Sequence, residues 1–279
     1  MLVAGVLFAG MGVLVKLGAQ QFSSSELVFY RSFFGLLIVY AMLQRASISL
    51  YSRHWRGHLW RGLSGSVAMM LFFYCISMLP LATAITLNYT SSLFLAVLTV
   101  LVLKEKFHLP LNGALTLGFV GVALLLHPTL AQDQLLPGLL GLVSGLLASV
   151  AILNVRQLNE LGEPGMRIVF YFNLIASLCS GAWMLQEQLH RVAASDLPLL
   201  VAIGASATFA QLALTRAHRT GQTLVVGSLA YSTIVFSALF GLIIWHELPS
   251  FSAWIGIALI IASGMLSLRL APTHTEASK

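Results

Sequence analysis

Residues 79–105 read LPLATAITLNYTSSLFLAVLTVLVLKE, and residues 221–247 read GQTLVVGSLAYSTIVFSALFGLIIWHE. When the two stretches are laid on each other without a gap, at an offset of 142 residues, five positions are identical. These positions are Leu87 and Leu229, Tyr89 and Tyr231, Phe94 and Phe236, Ala96 and Ala238, and Glu105 and Glu247. Self-similarity at a fixed offset indicates an internal repeat.

The repeat continues beyond these stretches. After one inserted residue, two glycines eight positions apart recur: Gly113 and Gly121 align with Gly256 and Gly264. We therefore predict two related halves, residues 1–130 and 131–270, followed by a polar tail at 271–279.

The composition is that of a membrane protein. Of 279 residues, 58% are hydrophobic and 9% are charged, whereas an average soluble domain carries about 25% charged residues. Cys75 and Cys179 both fall in apolar runs, which argues against a disulfide scaffold or a metal cluster. The formal net charge of +6 is spread over short loops, so it fits membrane topology better than nucleic-acid binding.

Apolar runs of about 20 residues predict membrane-spanning helices. We predict ten spans, at 2–19, 26–43, 62–79, 82–103, 110–127, 137–155, 166–186, 197–217, 222–245 and 251–270. Pro80 separates spans 3 and 4, because proline ends one helix and can begin the next.

Lysines and arginines predict the orientation. With the N-terminus in the cytoplasm, the inner loops and tail collect twelve of them: Arg45, Arg53, Arg56, Arg61, Lys104, Lys106, Arg156, Arg167, Arg216, Arg219, Arg269 and Lys279. The outer loops collect only Arg191. Both termini are therefore predicted to be cytoplasmic.

Each half holds five spans, an odd number, so the second half must be inverted relative to the first. Glu105 then lies at the cytoplasmic end of span 4, and Glu247 lies at the outer end of span 9. The predicted fold is all-α, with ten transmembrane helices in two inverted five-helix repeats. Such repeats are typical of secondary transporters, which hold their substrate between the halves near the membrane midplane.

Several stretches also carry a family resemblance. They are PLATAITLNYTSSLF (80–94), GALTLGFVGVALLLHP (113–128), TGQTLVVGSLAYSTIVFSALFGLIIWHE (220–247) and WIGIALIIASG (254–264). Together with Lys16 late in span 1 and Arg31 early in span 2, they resemble the drug/metabolite transporter superfamily, in its ten-helix type built from two EamA repeats. The resemblance implies a carrier of the bacterial inner membrane, commonly an exporter of amino acids or similar metabolites. Members often carry a proline in the middle of spans 4 and 9, where this chain has Ser91–Ser92 and Thr233–Ile234.

Two cations lie inside predicted spans. Arg31 is expected about one and a half turns below the outer face, and Lys16 near the outer end of span 1. The nearest acid along the chain, Glu26, lies at the membrane edge, so we expect neither cation to be neutralised within the spans. Either both side chains reach up to the lipid headgroups or cap backbone carbonyls, or they line an outward vestibule and attract an anion such as a substrate carboxylate.

Neutral polar residues mark a second candidate site. We expect Tyr89 and Tyr231 to form matched rims above and below a central cavity that Asn88 and Gln211 also line. Aromatic faces beside amides suit a zwitterionic or heterocyclic metabolite. The alternative is plain packing between the two repeats.

The span ends carry the remaining candidates. Glu105 and Glu247 precede the next helix, where a carboxylate suits the helix dipole, so we interpret them as structural or gating residues. Small residues such as Gly141, Gly145 and Gly121 are expected to let helices approach closely. No acid lies deep in a span, so the sequence leaves proton coupling and facilitated diffusion both open.

Other function classes fit less well. The sequence holds no nucleotide-binding loop for an ATP-driven pump, no cluster suggesting an enzyme, a metal or a cofactor, and no soluble receptor domain. The predicted partners are a small-molecule substrate and the lipid bilayer, without nucleic acid, and the oligomeric state, monomer included, stays open. We interpret the chain as a metabolite exporter, with an importer of an anionic or heterocyclic metabolite as the alternative.

Overall fold

The computed structural model describes residues 1–103, 113, 116–118, 120–124, 134–187, 189–220 and 229–270. These residues fold into helices, and within these ranges they form no β-strand. The helices are α1 (Leu2–Gly18), α2 (Ser24–Arg45), α3 (Trp55–Met78), α4 (Leu81–Tyr89), α5 (Ser91–Leu103), α6 (Leu135–Glu160), α7 (Gly165–Met184), α8 (Leu197–Thr220), α9 (Ser232–Trp245) and α10 (Phe251–Leu270).

Most predicted spans coincide with one helix. Pro80 stands between α3 and α4, as the sequence predicted. Span 5 (110–127) lies largely outside the described residues, so the number of ten spans stays a prediction. Glu105 also lies outside them.

Among the described residues, five helices are long and apolar enough to cross a membrane by length and composition. They are Ser24–Arg45, Trp55–Met78, Leu135–Glu160, Gly165–Met184 and the Leu197–Leu214 part of α8. Shorter apolar helices cover Leu2–Gly18, Ser232–Trp245 and Phe251–Leu266.

Four helix connections meet at one end of the bundle, which we call the Lys16 end. Lys16, at the end of α1, donates a hydrogen bond to the Leu79 carbonyl after α3 at 3.0 Å and pairs with Glu247 after α9. Gln21, between α1 and α2, donates to Asp196, between α7 and α8, at 3.2 Å. The connections α1–α2, α3–α4, α7–α8 and α9–α10 therefore share one end.

The opposite end, which we call the Glu163 end, joins the connections α2–α3 and α6–α7. The Glu163 carboxylate accepts hydrogen bonds from the Ser52 hydroxyl and, at 2.9 Å, from Arg167. Arg167 also donates to the Ser49 carbonyl at 2.8 Å. From α1 to α4 and from α6 to α10 the direction alternates, whereas α4, α5 and α6 all run toward the Glu163 end. α1 begins and α10 ends on this side, and the six connections named here hold the bundle at its two ends.

Helix packing crosses between the two sequence halves in matched pairs. The first helix of each half packs against the third long helix of the other, α1 on α8 and α6 on α3. α2 and α7 pack on each other. The interrupted pair α4–α5 packs on α6, and α9 packs on α1. Each of these contacts has a counterpart with the halves exchanged, except the one between α2 and α7, which is its own counterpart.

The Glu163 contacts make a prediction about pH. Burial alone would raise the pKa of the Glu163 carboxyl, but hydrogen bonds from Ser52 and Arg167, with the charge of Arg167, hold the pKa below its ordinary value of 4.5. A lowered pKa gives a stability contribution that is complete above about pH 4.5 and is lost as the pH falls through the folded-state pKa.

Glu163→Gln is therefore expected to lower the thermal unfolding midpoint of detergent-purified protein at pH 7, at a cost of about 1–2 kcal/mol. The difference in unfolding midpoint between this variant and the unsubstituted protein should become smaller when both are measured below pH 4.5. Glu160→Gln, at an exposed position one turn away, is the control and should change neither value. An equal gap at both pH values would contradict the assignment.

Candidate functional site

Helical structure is interrupted at two places that lie within one residue of equivalent positions in the two repeats. Thr90 separates α4 from α5, and Tyr231 precedes α9; the two numbers differ by 141, one less than the repeat offset. Thr90 has φ −62° and ψ −13°, and Tyr231 has φ −65° and ψ −13°. Around them the backbone bonds tighten to the i→i+3 type: Leu93 N–H donates to Thr90 at 2.9 Å, and Ile234 N–H donates to Tyr231 at 3.0 Å.

The side chains at the interruptions are joined across the halves. The Tyr89 hydroxyl donates to Thr233 Oγ1 at 2.8 Å, and the Tyr231 and Ser92 hydroxyls are hydrogen-bonded at 2.7 Å. The two tyrosine rings lie 5.7 Å apart between centroids and are tilted by 46°. The prediction that they stand apart as rims of a cavity is wrong for this conformation, because each hydroxyl reaches the opposite helix and draws the rings together.

Glycines let a neighbouring helix approach each interruption. A Cβ at Gly145 of α6 would lie 2.5 Å from Thr90 Oγ1, and one at Gly5 of α1 would lie 2.7 Å from Ser232 Oγ. Ser232 Oγ is buried without a hydrogen-bond partner among the described residues. The expected close approach at Gly145 is confirmed. The close approach at Gly5 was not predicted, because the sequence comparison did not relate Gly5 to Gly145.

One of the two amides predicted beside the tyrosines, Asn88, bonds to a different helix. Asn88 Nδ2 donates to Ser144 Oγ of α6 at 3.4 Å, and Ser144 in turn donates to the Ala68 carbonyl at 2.8 Å. Gln211 lies partly buried on α8. Asn88 therefore helps to attach α4 to α6 and α3.

Two cavities open among the described helices, away from the tyrosines. One, of about 350 Å³, is lined by apolar side chains of α1 and α9, with Ser206 of α8. The other, of about 580 Å³, lies among α2, α3 and α7 near the Lys16 end, with the Glu187 carboxylate in its wall.

Lys16 is neutralised, contrary to the expectation from sequence. Its ammonium group pairs with the Glu247 carboxylate and lies 5.0 Å from the centroid of the Trp245 ring. Glu247 also accepts a hydrogen bond from the Leu81 backbone N–H at 3.0 Å. Leu81 is the first residue of α4, so Glu247 does cap a helix, but one in the other half of the chain instead of the next in sequence.

Arg31 is buried in the protein interior and does not reach the lipid headgroups. Its side chain is 4% exposed, and its guanidinium carbon lies 5.6 Å from the centroid of the Phe172 ring on α7. Arg61 of α3 reaches the same ring at 4.1 Å. The charge count had assigned Arg61 to an inner loop, because the apolar run starts just after it; the helix begins at Trp55, so Arg61 points into the bundle.

Comparison with known proteins identifies the family. Residues 1–127 and 136–269 each match the EamA-like transporter family. The chain belongs to this family. The resemblance read from the sequence is thereby confirmed, and the chain is a multi-pass membrane protein.

Relatives of this EamA-like chain are named as transporters. A pseudopaline exporter of Pseudomonas aeruginosa is 30% identical over 263 residues, which cover 94% of this chain and 90% of that protein. A riboflavin transporter of Vibrio cholerae is 24% identical, with 94% and 89% covered. A solved crystal structure with 19% identity shares the fold, with a TM-score of 0.65 over 96% of this chain and 98% of the other.

This EamA-like chain interrupts its helices without the proline that members of the family often carry. The interruptions at Thr90 and Tyr231 instead coincide with the crossed hydroxyl bonds and the approach of a glycine-bearing helix. Hydroxyl side chains can satisfy backbone groups at such positions: Thr90 Oγ1 donates to the Leu87 carbonyl at 2.6 Å.

Gly145→Ala is predicted to destabilise the protein. Its methyl group would lie 3.0 Å from the Leu87 carbonyl oxygen as well as against Thr90, so backbone must move, at a cost of about 1–3 kcal/mol. Gly10→Ala is the matched control, because a Cβ there meets nothing within 4 Å and alanine favours helix. Thermal unfolding in detergent should show a lower midpoint for Gly145→Ala only; equal midpoints would contradict the tight contact.

The Lys16–Glu247 pair predicts coupled substitutions. Lys16→Gln leaves the Glu247 carboxylate, which is 23% exposed in the pair, without its partner, and Glu247→Gln leaves the Lys16 ammonium, which is 13% exposed. The expected cost in stability lies between the ~0.5 kcal/mol of a surface ion pair and the ~3 kcal/mol of a buried one. The double variant should cost less than the sum of the single ones. Thermal unfolding of all four proteins measures the coupling, and strict additivity would exclude the pair.

Proposed function

We propose that the protein is a secondary transporter of the bacterial inner membrane that moves a small polar metabolite by alternating access. Its two inverted repeats, residues 1–130 and 131–270, would each contribute five of ten spans. The observation that carries this proposal is the crossed contact of Tyr89 and Tyr231 at two helix interruptions between the halves. Interrupted helices at a repeat interface are where secondary transporters place their substrates.

The packing between helices supports the inverted repeats. The main contacts between the halves have exchanged counterparts, as expected of two like units related by a pseudo-two-fold axis. The helix interruptions at Thr90 and Tyr231 also lie at positions that are equivalent in the two repeats to within one residue.

The distribution of charge supports a cytoplasmic location for both termini. Arg45, Arg53, Arg56 and Arg167 lie in or beside the connections at the Glu163 end, where α1 begins and α10 ends. Cytoplasmic loops carry the excess of lysine and arginine. The Lys16 end then faces outward, and the Lys16–Glu247 pair closes that side.

We propose that the substrate separates the two tyrosines. Their hydroxyls, with Ser232 and Thr233, offer donors and acceptors, and their rings offer apolar faces for a zwitterionic or heterocyclic metabolite. Asn88 and Gln211 would line this site when it opens. Lys16 would act on substrate only after its pair with Glu247 separates, and Glu105 would serve the corresponding place in the first half.

Export of amino acids or related metabolites is the direction we propose. The pseudopaline exporter supports it, since it is 30% identical over nearly the whole chain. The alternative is a transporter of a heterocyclic or anionic metabolite into the cell; the riboflavin transporter supports the heterocyclic substrate class. Radiolabelled metabolites in counterflow assays, with proteoliposomes of known protein orientation and with or without a pH gradient, distinguish these directions and reveal proton coupling.

The central tyrosines provide the test at the level of residues. Tyr89→Phe and Tyr231→Phe keep the rings but remove the crossed hydroxyls, each with about 1 kcal/mol of hydrogen bonding. We expect the apparent KM of counterflow to change by about 3- to 10-fold in each variant while protein yield holds. Tyr40→Phe is the control, because Tyr40 is 44% exposed on α2. A lower yield with unchanged KM would indicate packing alone.

A further inference from the structure

Arg31, which is buried, and Arg61, which is half-buried but whose Nε and Nη1 atoms are buried, form a cluster of two cations on one aromatic ring. Their guanidinium carbons lie 5.6 Å and 4.1 Å from the centroid of Phe172. Arg31 lies about 10 Å along α2 from the Lys16 end, and Arg61 about 9 Å along α3 from the opposite end, at 1.5 Å per residue. The two side chains therefore approach each other through the interior of the bundle.

Neither arginine has an acidic partner in the part of the chain that the structure describes. The acids there are otherwise engaged or exposed: Glu26 with His190, Glu163 with Arg167, Glu187 with Ser25, Asp196 with Gln21, Glu247 with Lys16, and Glu160 on the surface. Cation–π contact with Phe172 stabilises the two positive charges in part, but the uncharged ring cannot act as a counterion. Two buried positive charges without a counterion are strongly unfavourable.

The guanidinium donors are also unused. Nε and Nη1 of both arginines are buried without a hydrogen-bond partner among the described residues. Gly65 provides the room for this arrangement, since a Cβ there would lie 2.1 Å from Arg61 Nη1 and 2.9 Å from the Phe172 ring. The site is built from three helices, with four donor nitrogens that have no partner among the described residues.

We propose that Arg31 and Arg61 bind a metabolite with two carboxylates, the class of substrate that this transporter carries. Planar guanidinium groups match carboxylates in two parallel hydrogen bonds, and two carboxylates balance the two charges. Phe172 forms the apolar wall against the carbon chain between them. This inference rests on the proposed transport function and adds Arg61 and the substrate class to it.

The test uses the full chain in nanodiscs of phosphatidylcholine, with thermal unfolding as the readout and ionic strength held constant. Succinate is the dicarboxylate probe and butyrate its monocarboxylate counterpart; glutarate and glutamate complete the panel. We expect a saturable rise of the unfolding midpoint with at least one dicarboxylate, and about tenfold weaker binding of butyrate than of succinate.

Arg31→Gln and Arg61→Gln should each weaken dicarboxylate binding by about 10- to 100-fold. Arg31→Lys should weaken it less, because lysine keeps the positive charge but loses the paired N–H donors of the guanidinium group. Without ligand, the glutamine variants should unfold at or above the temperature of the unsubstituted protein, because each removes an unpaired buried charge. Arg45→Gln and Arg156→Gln, at exposed positions, are the controls and should bind as before.

Three results would overturn the inference: no saturable shift with any dicarboxylate, an unchanged shift in the double glutamine variant, or equal stabilisation by inorganic phosphate or phosphatidylglycerol, which would indicate a phosphate or lipid-headgroup site. Counterflow separates this inference from the proposed function. Flux of some metabolite without dicarboxylate binding contradicts only the inference, and dicarboxylate binding without flux of any metabolite contradicts only the transport.

Discussion

Two interruptions of helical hydrogen bonding, at Thr90 and Tyr231, constrain how the helices around them pack. Inside a bilayer no water can pair with a freed backbone group, so the protein must satisfy it. Here i→i+3 bonds and the Thr90 hydroxyl do so, while Gly145 of α6 and Gly5 of α1 bring a helix from the other half against each interruption. The weakest points of each half are therefore covered by the opposite half, and neither half has a complete interior alone.

Charged side chains are distributed unequally between the ends and the interior. In the described residues, the buried carboxylates Glu26 and Glu163 and the half-buried Glu247 are engaged in connections at the ends. The interior instead holds the guanidinium groups of Arg31 and Arg61. Ion pairs at the ends can hold connections together while helices tilt between them, whereas interior cations without counterions create a positive potential that favours an anion in the bundle.

The helices could be predicted from the sequence because long apolar runs and Pro80 are local signals. The offset of 142 residues correctly matched Tyr89 to Tyr231, but their contact depends on how distant segments pack, which no local pattern encodes. The same reason explains the missed Lys16–Glu247 pair, whose members are 231 residues apart. Arg61 was misplaced for another reason: hydropathy starts a span at its first apolar residues, while the helix begins at Trp55, nearly two turns before them. The interruption at Thr90 could not be predicted from a proline, because the sequence has none at that position.

The strength of the central contact suits a gate that a metabolite can open. Each neutral hydrogen bond of the tyrosine pair contributes about 1 kcal/mol, and the ring contact about 0.5–1.5 kcal/mol. Binding in the millimolar to micromolar range supplies about 4–8 kcal/mol, so a substrate that binds only the open form can shift the population toward it. Glu247 extends this motion to the Lys16 end, because it bonds both Lys16 of α1 and the first residue of α4. If α4 moves when the tyrosines part, the Glu247 contacts must separate or move with it, so the tyrosine contact and the Lys16 end of the bundle become coupled.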